Sequence, residues 1–295
     1  MVWILGCIGT SRTISLSVLR VFIGTGPPSL WGCFLAKTIV LISDLHCGSV
    51  FGLTPPEYWE ADDARREMQK EAWHAYHKIV RKWHKPDFLL VNADCIDGSQ
   101  AKMGGAELTT PDRNIQSEMA EECISMWDAP QILMTYGSGY HVSSGAEDFE
   151  YNIAHRLNAR IGGRLNFEIE GVEFDMRHKV GSSGIPHGRG TPLLREMMWN
   201  LMKYALDGNI NPDRAKMQVV VRSHVHYHIW IEQPGRVMFT TPCLQLSRGR
   251  YGSRECVGET HWGAIRLTVK DGQIINKEVE ICKLDANRPK LLKLK

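Results

Sequence analysis

The chain has 295 residues, 43% of them hydrophobic and 23% charged, a composition that excludes collagen-like, disordered and disulfide-scaffold proteins. Thirty-five Lys and Arg against 33 Asp and Glu leave a formal charge of +2, so no whole-chain basic excess advertises a nucleic-acid track or a membrane surface.

The charge is unevenly placed. The first acidic residue is Asp44, and only Arg12, Arg20 and Lys37 carry charge before it. Residues 1–36 hold three apolar runs, Val2–Ile8, Ile14–Ile23 and Leu30–Ala36, none reaching the roughly 18 residues of a membrane span. They are set apart as an N-terminal apolar extension of unknown role, read as an anchor or targeting segment, an extra structural piece, or translated sequence without function. The eight cysteines contain no C-x-x-C pair, which argues against a zinc ribbon and favours a cytoplasmic location, with the lead leaving export or anchoring open.

From Lys37 onward the pattern is regular. A buried strand, Thr38–Ile42, runs into Ser43-Asp44-Leu45-His46. A helix over Ala61–His84 is stopped by Lys85-Pro86. A second strand, Asp87–Ala93, ends on Asp94 and Asp97. A helix follows near Pro111–Trp127, then a strand Gln131–Thr135 leading into Gly137-Ser138-Gly139-Tyr140-His141. Strands alternating with helices, with polar residues at the strand ends, are the layout of α/β enzymes.

A helix is expected over about Ala146–Ile161, then a hairpin, Leu165–Ile169 and Val172–Met176, closing on His178. A glycine-rich loop, Gly181–Gly190, precedes a helix over Pro192–Leu206 with Leu193, Met197, Leu201 and Ala205 in one stripe. The strand Gln218–Val221 delivers Arg222-Ser223-His224-Val225-His226. Two last hairpins, Ile229–Thr240 and Ala264–Ile281, are expected to complete an antiparallel second sheet. One domain is read over residues 37–283, followed by a basic tail, 284–295. Trp59, Trp73, Trp83, Trp127 and Trp199 are read as packing, and His74, His77 and His84 as a solvated helix face.

The strand-end residues Asp44, His46, Asp94, Asp97, His141, His178, His224 and His226 fall in clusters roughly 40 to 50 residues apart, which folding would bring to one sheet edge. Carboxylates with imidazoles suit borderline divalent metals. An isolated D-x-H or H-x-H is weak; their ordered conjunction is not. Together, Asp44-Leu45-His46, Ala93-Asp94-Cys95-Ile96-Asp97, Gly137-Ser138-Gly139-Tyr140-His141, His178 and Ser223-His224-Val225-His226 resemble the D-x-H, G-D-x-x-D, G-N-H-D/E, His and G-H-x-H blocks of the calcineurin-like metallophosphoesterases.

The resemblance implies an α/β layered sandwich of two packed mixed β-sheets flanked by helices. It implies two divalent transition-metal ions (Mn, Fe, Zn, Ni or Co), one held by Asp44, His46 and His226, the other by His178 and His224, with Asp94 bridging and catalytically engaged. A hydroxide between the ions would attack phosphorus directly. Ala93 and Ser223 stand where the family has glycine, and the third block lacks the family's Asn. Ser138 offers a hydroxyl ligand in its place, and His141 is either the catalytic proton donor or a substitute ligand. Asp97 is read as orienting a ligand histidine, and His187 and Arg189 as phosphate contacts or as a surface loop. The expected function is a metal-dependent phosphoesterase, most simply a phosphodiesterase acting on a phosphate ester. A nuclease acting on DNA or RNA and a non-catalytic scaffold are the alternatives.

Overall fold

The computed structural model describes residues 35–144, 147–206, 217–246, 249 and 259–287. The N-terminal extension and the basic tail lie largely outside these residues. In chain order the elements are β1 (Lys37–Ile42), α1 (Asp63–Lys82), β2 (Phe88–Val91), α2 (Arg113–Ser125), β3 (Ile132–Thr135), α3 (Gly139–Val142), β4 (Ser143–Ser144), β5 (Glu147–Asp148) and α4 (Phe149–Arg156). There follow β6 (Arg160–Gly162), β7 (Leu165–Ile169), β8 (Val172–Lys179), α5 (Thr191–Leu206), β9 (Gln218–Ser223), β10 (Ile229–Gln233), β11 (Arg236–Thr240), β12 (Trp262–Lys270) and β13 (Gln273–Cys282). The helices start where short acids cap them: Asp62, Asp112 and Asp148 accept backbone N–H bonds from Arg65, Asn114, and Glu150 with Tyr151.

Two mixed sheets form, with strand orders β13-β12-β1-β2-β3-β6 and β10-β11-β9-β8-β7. In the first, β1, β2, β3 and β6 are parallel and β12 joins β1 antiparallel. In the second, β8, β9 and β11 are parallel, flanked by antiparallel β7 and β10. Side-chain alternation makes the layers. Ile39 and Leu41 of β1, Val219 and Val221 of β9, and Ile265, Leu267 and Val269 of β12 share one buried cluster with Phe174, Met176 and Phe239. The opposite neighbours in sequence, Val40 and Ile42, enter a second cluster with α1, α2 and α4 residues such as Tyr76, Cys123, Trp127 and Ile153. Val220 and Met238 meet Leu193 and Met197 of α5 in a third. The order is helices, sheet, sheet, helix.

Two expectations need correction. The last hairpin does not extend the second sheet but pairs with β1 in the first, and the second sheet is mixed rather than antiparallel. A hairpin pattern fixes pairing within the hairpin but not which sheet edge receives it. Trp199 is 61% exposed, whereas Trp73, Trp83 and Trp127 are buried. Helix α5 carries two apolar stripes, and its rotation is set by polar partners: Glu196 and Asn200 turn inward to charged groups of the second sheet. That rotation buries Leu193 and Met197 and leaves Leu194, Met198, Trp199 and Met202 outside. It also leaves Ala205 exposed.

Those charged groups form a closed network. Arg222 on β9 is fully buried; its guanidinium donates to the Asp175 carboxylate at 2.9 Å, the Asp175 carbonyl at 2.9 Å and Glu196 at 3.0 Å. Asp175 also accepts from Arg164 at 2.7 and 2.6 Å and from Asn200 at 2.8 Å. The carbonyl bond falls beside the register shift between Met176 and Lys179, where the β8–β9 ladder is interrupted. Burial alone would raise the Asp175 carboxyl, but its bonds to Arg164 and the charge of Arg222 outweigh that and hold it well below the usual range. A depressed carboxyl stabilises the fold above its unfolded value and loses that contribution as pH falls. Asp175→Asn is expected to cost about 2 to 3 kcal/mol at neutral pH. It should also flatten the fall in stability between about pH 4 and about pH 2, measured by urea denaturation across pH.

Candidate metal centre

The carboxyl ends of β1, β2, β3, β8 and β9 converge, as the strand-end pattern predicts. Asp44 and His46 follow β1, Asp94 and Asp97 follow β2, Ser138 and His141 follow β3, His178 lies near the end of β8, and His224 and His226 follow β9. Their donor atoms form three groups, each within 4.8 Å: Asp44, His46 and His226; His46, Asp94 and His141; and Asp94, His178 and His224. His46 and Asp94 each belong to two groups, so the three merge into one centre.

The backbone that presents these side chains is unusual. Asp44, His46, Asp94, His224 and His226 have φ between 47° and 75°, and Ala93 has φ 69°. Left-handed backbone costs a non-glycine residue about 1 to 2 kcal/mol, and its concentration at one place marks a site rather than a set of turns. It is held by backbone bonds between the two loops: Asp44 N to Ala93 O at 2.9 Å, His46 N to Asp94 O and Cys47 N to Cys95 O at 3.0 Å. Beneath them runs a chain of buried polar side chains. Thr135 donates to Asn92 at 2.6 Å, Asn92 to Ser223 at 2.6 Å, and Ser223 and Ser43 meet Thr241 at 2.5 and 2.6 Å.

Three of the rings are oriented through Nδ1. His46 Nδ1 lies 2.8 Å from Asp97 Oδ1, His178 Nδ1 2.8 Å from the Asn92 carbonyl, and His141 Nδ1 3.0 Å from the Asp97 carbonyl. The opposite nitrogens of His46 and His178 are buried without a hydrogen-bond partner, as is Asp44 Oδ1. His178 Nε2 is 2.9 Å from Asp94 Oδ2 and not aligned as a donor, the relation of two ligands around a common ion. Buried donors of this chemistry, gathered within 4.8 Å of one another in each group, fit a divalent transition metal.

The electrostatics agree. Burial would raise the Asp44 carboxyl, but the close imidazole of His226, its Nε2 3.2 Å from Oδ1, brings it down to about 2. Asp94 is driven well below its usual range because His178 outweighs the same burial penalty. Burial lowers His178, yet Asp94 outweighs it and lifts the imidazole to about 10. The carboxylates thus demand positive charge in their midst.

Ser138 donates its N–H to Asp94 Oδ1 at 2.7 Å, and its hydroxyl is 3.4 Å from both Asp94 Oδ2 and His224 Nδ1. It therefore faces the Asp94, His178 and His224 group. Gly137 is obligatory: a Cβ there would lie 2.2 Å from Asp94 Oδ1. Arg189 packs over the Tyr227 ring at 4.8 Å and His187 is exposed. The part of their loop that lines the cleft is Ser182–Gly184. His74, His77 and His84 lie exposed on or just past α1.

Three residues were not singled out by the sequence. Gln100 donates to Asp97 Oδ2 at 2.6 Å and to the Glu107 carbonyl at 3.2 Å, pinning the loop beside the site. Asn92 works through side chain and carbonyl together. Glu150, fully buried, accepts from Cys95 N at 2.9 Å and Gly137 N at 2.6 Å, joining the loops that carry Asp94 and Ser138. Burial, then the nearby Asp94 charge, push its carboxyl up to about 8. An acid beside Phe149, Ile153 and Ala154 on the buried face of α4 was the available signal. Cys47 and Cys95, each next in chain to a cluster residue, are fully buried, and burial raises both thiols well above their usual value.

Strain at Ala93 gives a direct test. Ala93→Gly should stay within about 1 kcal/mol of the parent in urea denaturation, relief of the left-handed backbone offsetting lost burial. Ala93→Val, branched and buried in that conformation, should cost more than about 2 kcal/mol.

No protein-family model and no curated protein matches the chain. Solved structures do resemble it. Vacuolar protein sorting 29 from Cryptosporidium parvum aligns at TM-score 0.42 and 10% identity, over 83% of this chain and 97% of that one. Yfce, a phosphoesterase from E. coli, aligns at TM-score 0.37 and 10% identity, over 82% and 98%. An archaeal phosphodiesterase aligns at TM-score 0.37 and 11% identity, over 82% and 99%. Likenesses this distant assign no residue a role here. Vps29 proteins and phosphoesterases recur among these likenesses.

Proposed function

We propose that this chain is a metal-dependent phosphodiesterase with a binuclear centre. The observation that carries the reading is the merging of three donor groups through His46 and Asp94 at the floor of a cleft of about 600 Å³. Asp44, His46 and His226 would hold one ion, His178 and His224 the other, with Asp94 between them and the Ser138 hydroxyl beside the second. Such a pair supplies Lewis-acid stabilisation of phosphoryl charge and acidifies water for attack on phosphorus.

The chain's own residues do the rest. Asp97 fixes the ring of His46 and, through its carbonyl, that of His141. His141, tied at Nδ1, presents its other nitrogen to the cleft and donates a proton to the departing ester oxygen. Burial, then the neighbouring His46, lower its pKa below the ordinary imidazole value, so the protonated form is the minor one at neutral pH and the readier donor when formed. A diester is favoured over a monoester because Lys102 is the one Lys or Arg lining the cleft among the described residues. A dianionic monoester would call for more cationic contacts than that. No helix among the described residues is long and apolar enough to cross a membrane.

The purified protein is expected to bind two transition-metal ions per chain by elemental analysis and to hydrolyse bis(p-nitrophenyl) phosphate. Asp94→Asn should lose bound metal and lower kcat/KM by about 100-fold or more. A fold kept only as a scaffold would show no turnover with Mn, Fe, Co, Ni or Zn supplied, and that result overturns the proposal. Asp97→Asn, which keeps every donor but loosens the His46 ring, should weaken metal affinity by about 10- to 100-fold.

A further inference from the structure

The floor of the cleft is polar, and its walls carry aromatic and thioether side chains among polar ones. Phe51, Met103, Tyr140 and Tyr227 stand around the histidine and aspartate groups. A phosphate ester seated on the centre therefore has its organic substituents against aromatic and thioether surface. Tyr140 differs from the rest of this wall. It immediately precedes His141, is 42% exposed, and packs edge-to-face with the His141 imidazole, ring centres 5.0 Å apart at 87°. Its hydroxyl accepts a hydrogen bond from the Lys102 backbone N–H at 3.1 Å. The Lys102 ammonium lies 5.6 Å from its ring centre.

A surface tyrosine ordinarily turns freely. This one is held at its hydroxyl by a backbone donor and at its ring by an imidazole, so its hydroxyl is already engaged. What it offers a ligand is fixed ring surface with a cation beside it. Surface held in place before binding loses little entropy on contact, and ring–ring and cation–ring contacts favour planar, electron-rich groups over small alkyl ones.

We infer that Tyr140, with Lys102 and Met103, forms the leaving-group subsite, and that the substrate is a phosphodiester whose leaving group carries an aromatic or heteroaromatic ring. The inference rests on the phosphodiesterase reading. His141 delivers its proton to the leaving oxygen, so the departing group lies on the His141 side, where Tyr140 is the adjoining aromatic surface. Tyr140 is thus a specificity-determining residue. Its ring gains contact with a phenyl group or a base and gains little with an ethyl group of equal charge.

Two non-hydrolysable monoanions in which carbon replaces both ester oxygens, benzyl(methyl)phosphinate and propyl(methyl)phosphinate, the isosteres of a phenyl and an ethyl ester, test this by isothermal titration calorimetry on the metal-loaded full chain. The benzyl compound should bind about tenfold more tightly. Tyr140→Ala should bring the two affinities to within about twofold. Lys102→Ala, which retains the backbone N–H that holds the tyrosine, should reduce the preference to about threefold, and it does so without touching the ring. Equal affinities in the parent protein, binding of neither compound, or an undiminished preference in both variants overturns the inference. Hydrolysis of bis(p-nitrophenyl) phosphate is scored separately. A chain that cleaves it yet binds both phosphinates equally keeps the phosphodiesterase function and loses the aromatic subsite.

Discussion

Left-handed backbone at the ends of β1, β2 and β9 is the constraint on which the centre depends. A strand that simply continued would send Asp44 and His46 to one face, and likewise His224 and His226, at fixed strand spacing. Turning the chain at each of these residues instead aims them individually. The conformation is costly, so the surroundings must impose it. The paired loops after β1 and β2 do so with backbone bonds, and the polar chain from Thr135 through Asn92, Ser223 and Thr241 to Ser43 ties both sheets together below. Ser223 has a purpose here that glycine could not serve: its hydroxyl is the link between the sheets.

The same scaffold decides the state of the imidazoles. With Nδ1 of His46, His141 and His178 each held by an oxygen, the opposite nitrogens are committed to the donor groups before anything binds. Sites built this way lose little on binding, since rings and carboxylates are already placed. The buried Arg222 network extends the support outward by bridging the interruption of the β8–β9 ladder, beside the segment that delivers His178.

Much of this was legible in the sequence. The periodicities of α1, α2 and α5 and the turns at Gly171, Gly235 and Gly272 place those elements within a few residues, and the ordered D-x-H and H-x-H blocks name the residues that converge. What was hidden depends on distance in space. Nothing in residues 264–281 says that their hairpin pairs with β1, and nothing in α5 alone says which of two apolar stripes turns inward, because Arg222 and Asp175 decide that from other strands. Asn92 and Glu150 contribute through bonds to groups far along the chain, and Gln100 through the path of its own loop, neither of which pattern reading sees. Of the loop in which His187 and Arg189 were read as phosphate contacts or as surface, the segment that lines the cleft is Ser182–Gly184.

Cys47 and Cys95 sit one residue beyond His46 and Asp94, close enough in sequence to compete as ligands. The turned backbone sends both sulfurs into the core instead, and burial keeps the thiols protonated. A protonated, inward thiol neither captures a soft ion nor yields readily to oxidants that reach the cleft. An ion held among these side chains would meet nitrogen and oxygen alone, and a thiophilic metal would gain no sulfur-based advantage over a harder one.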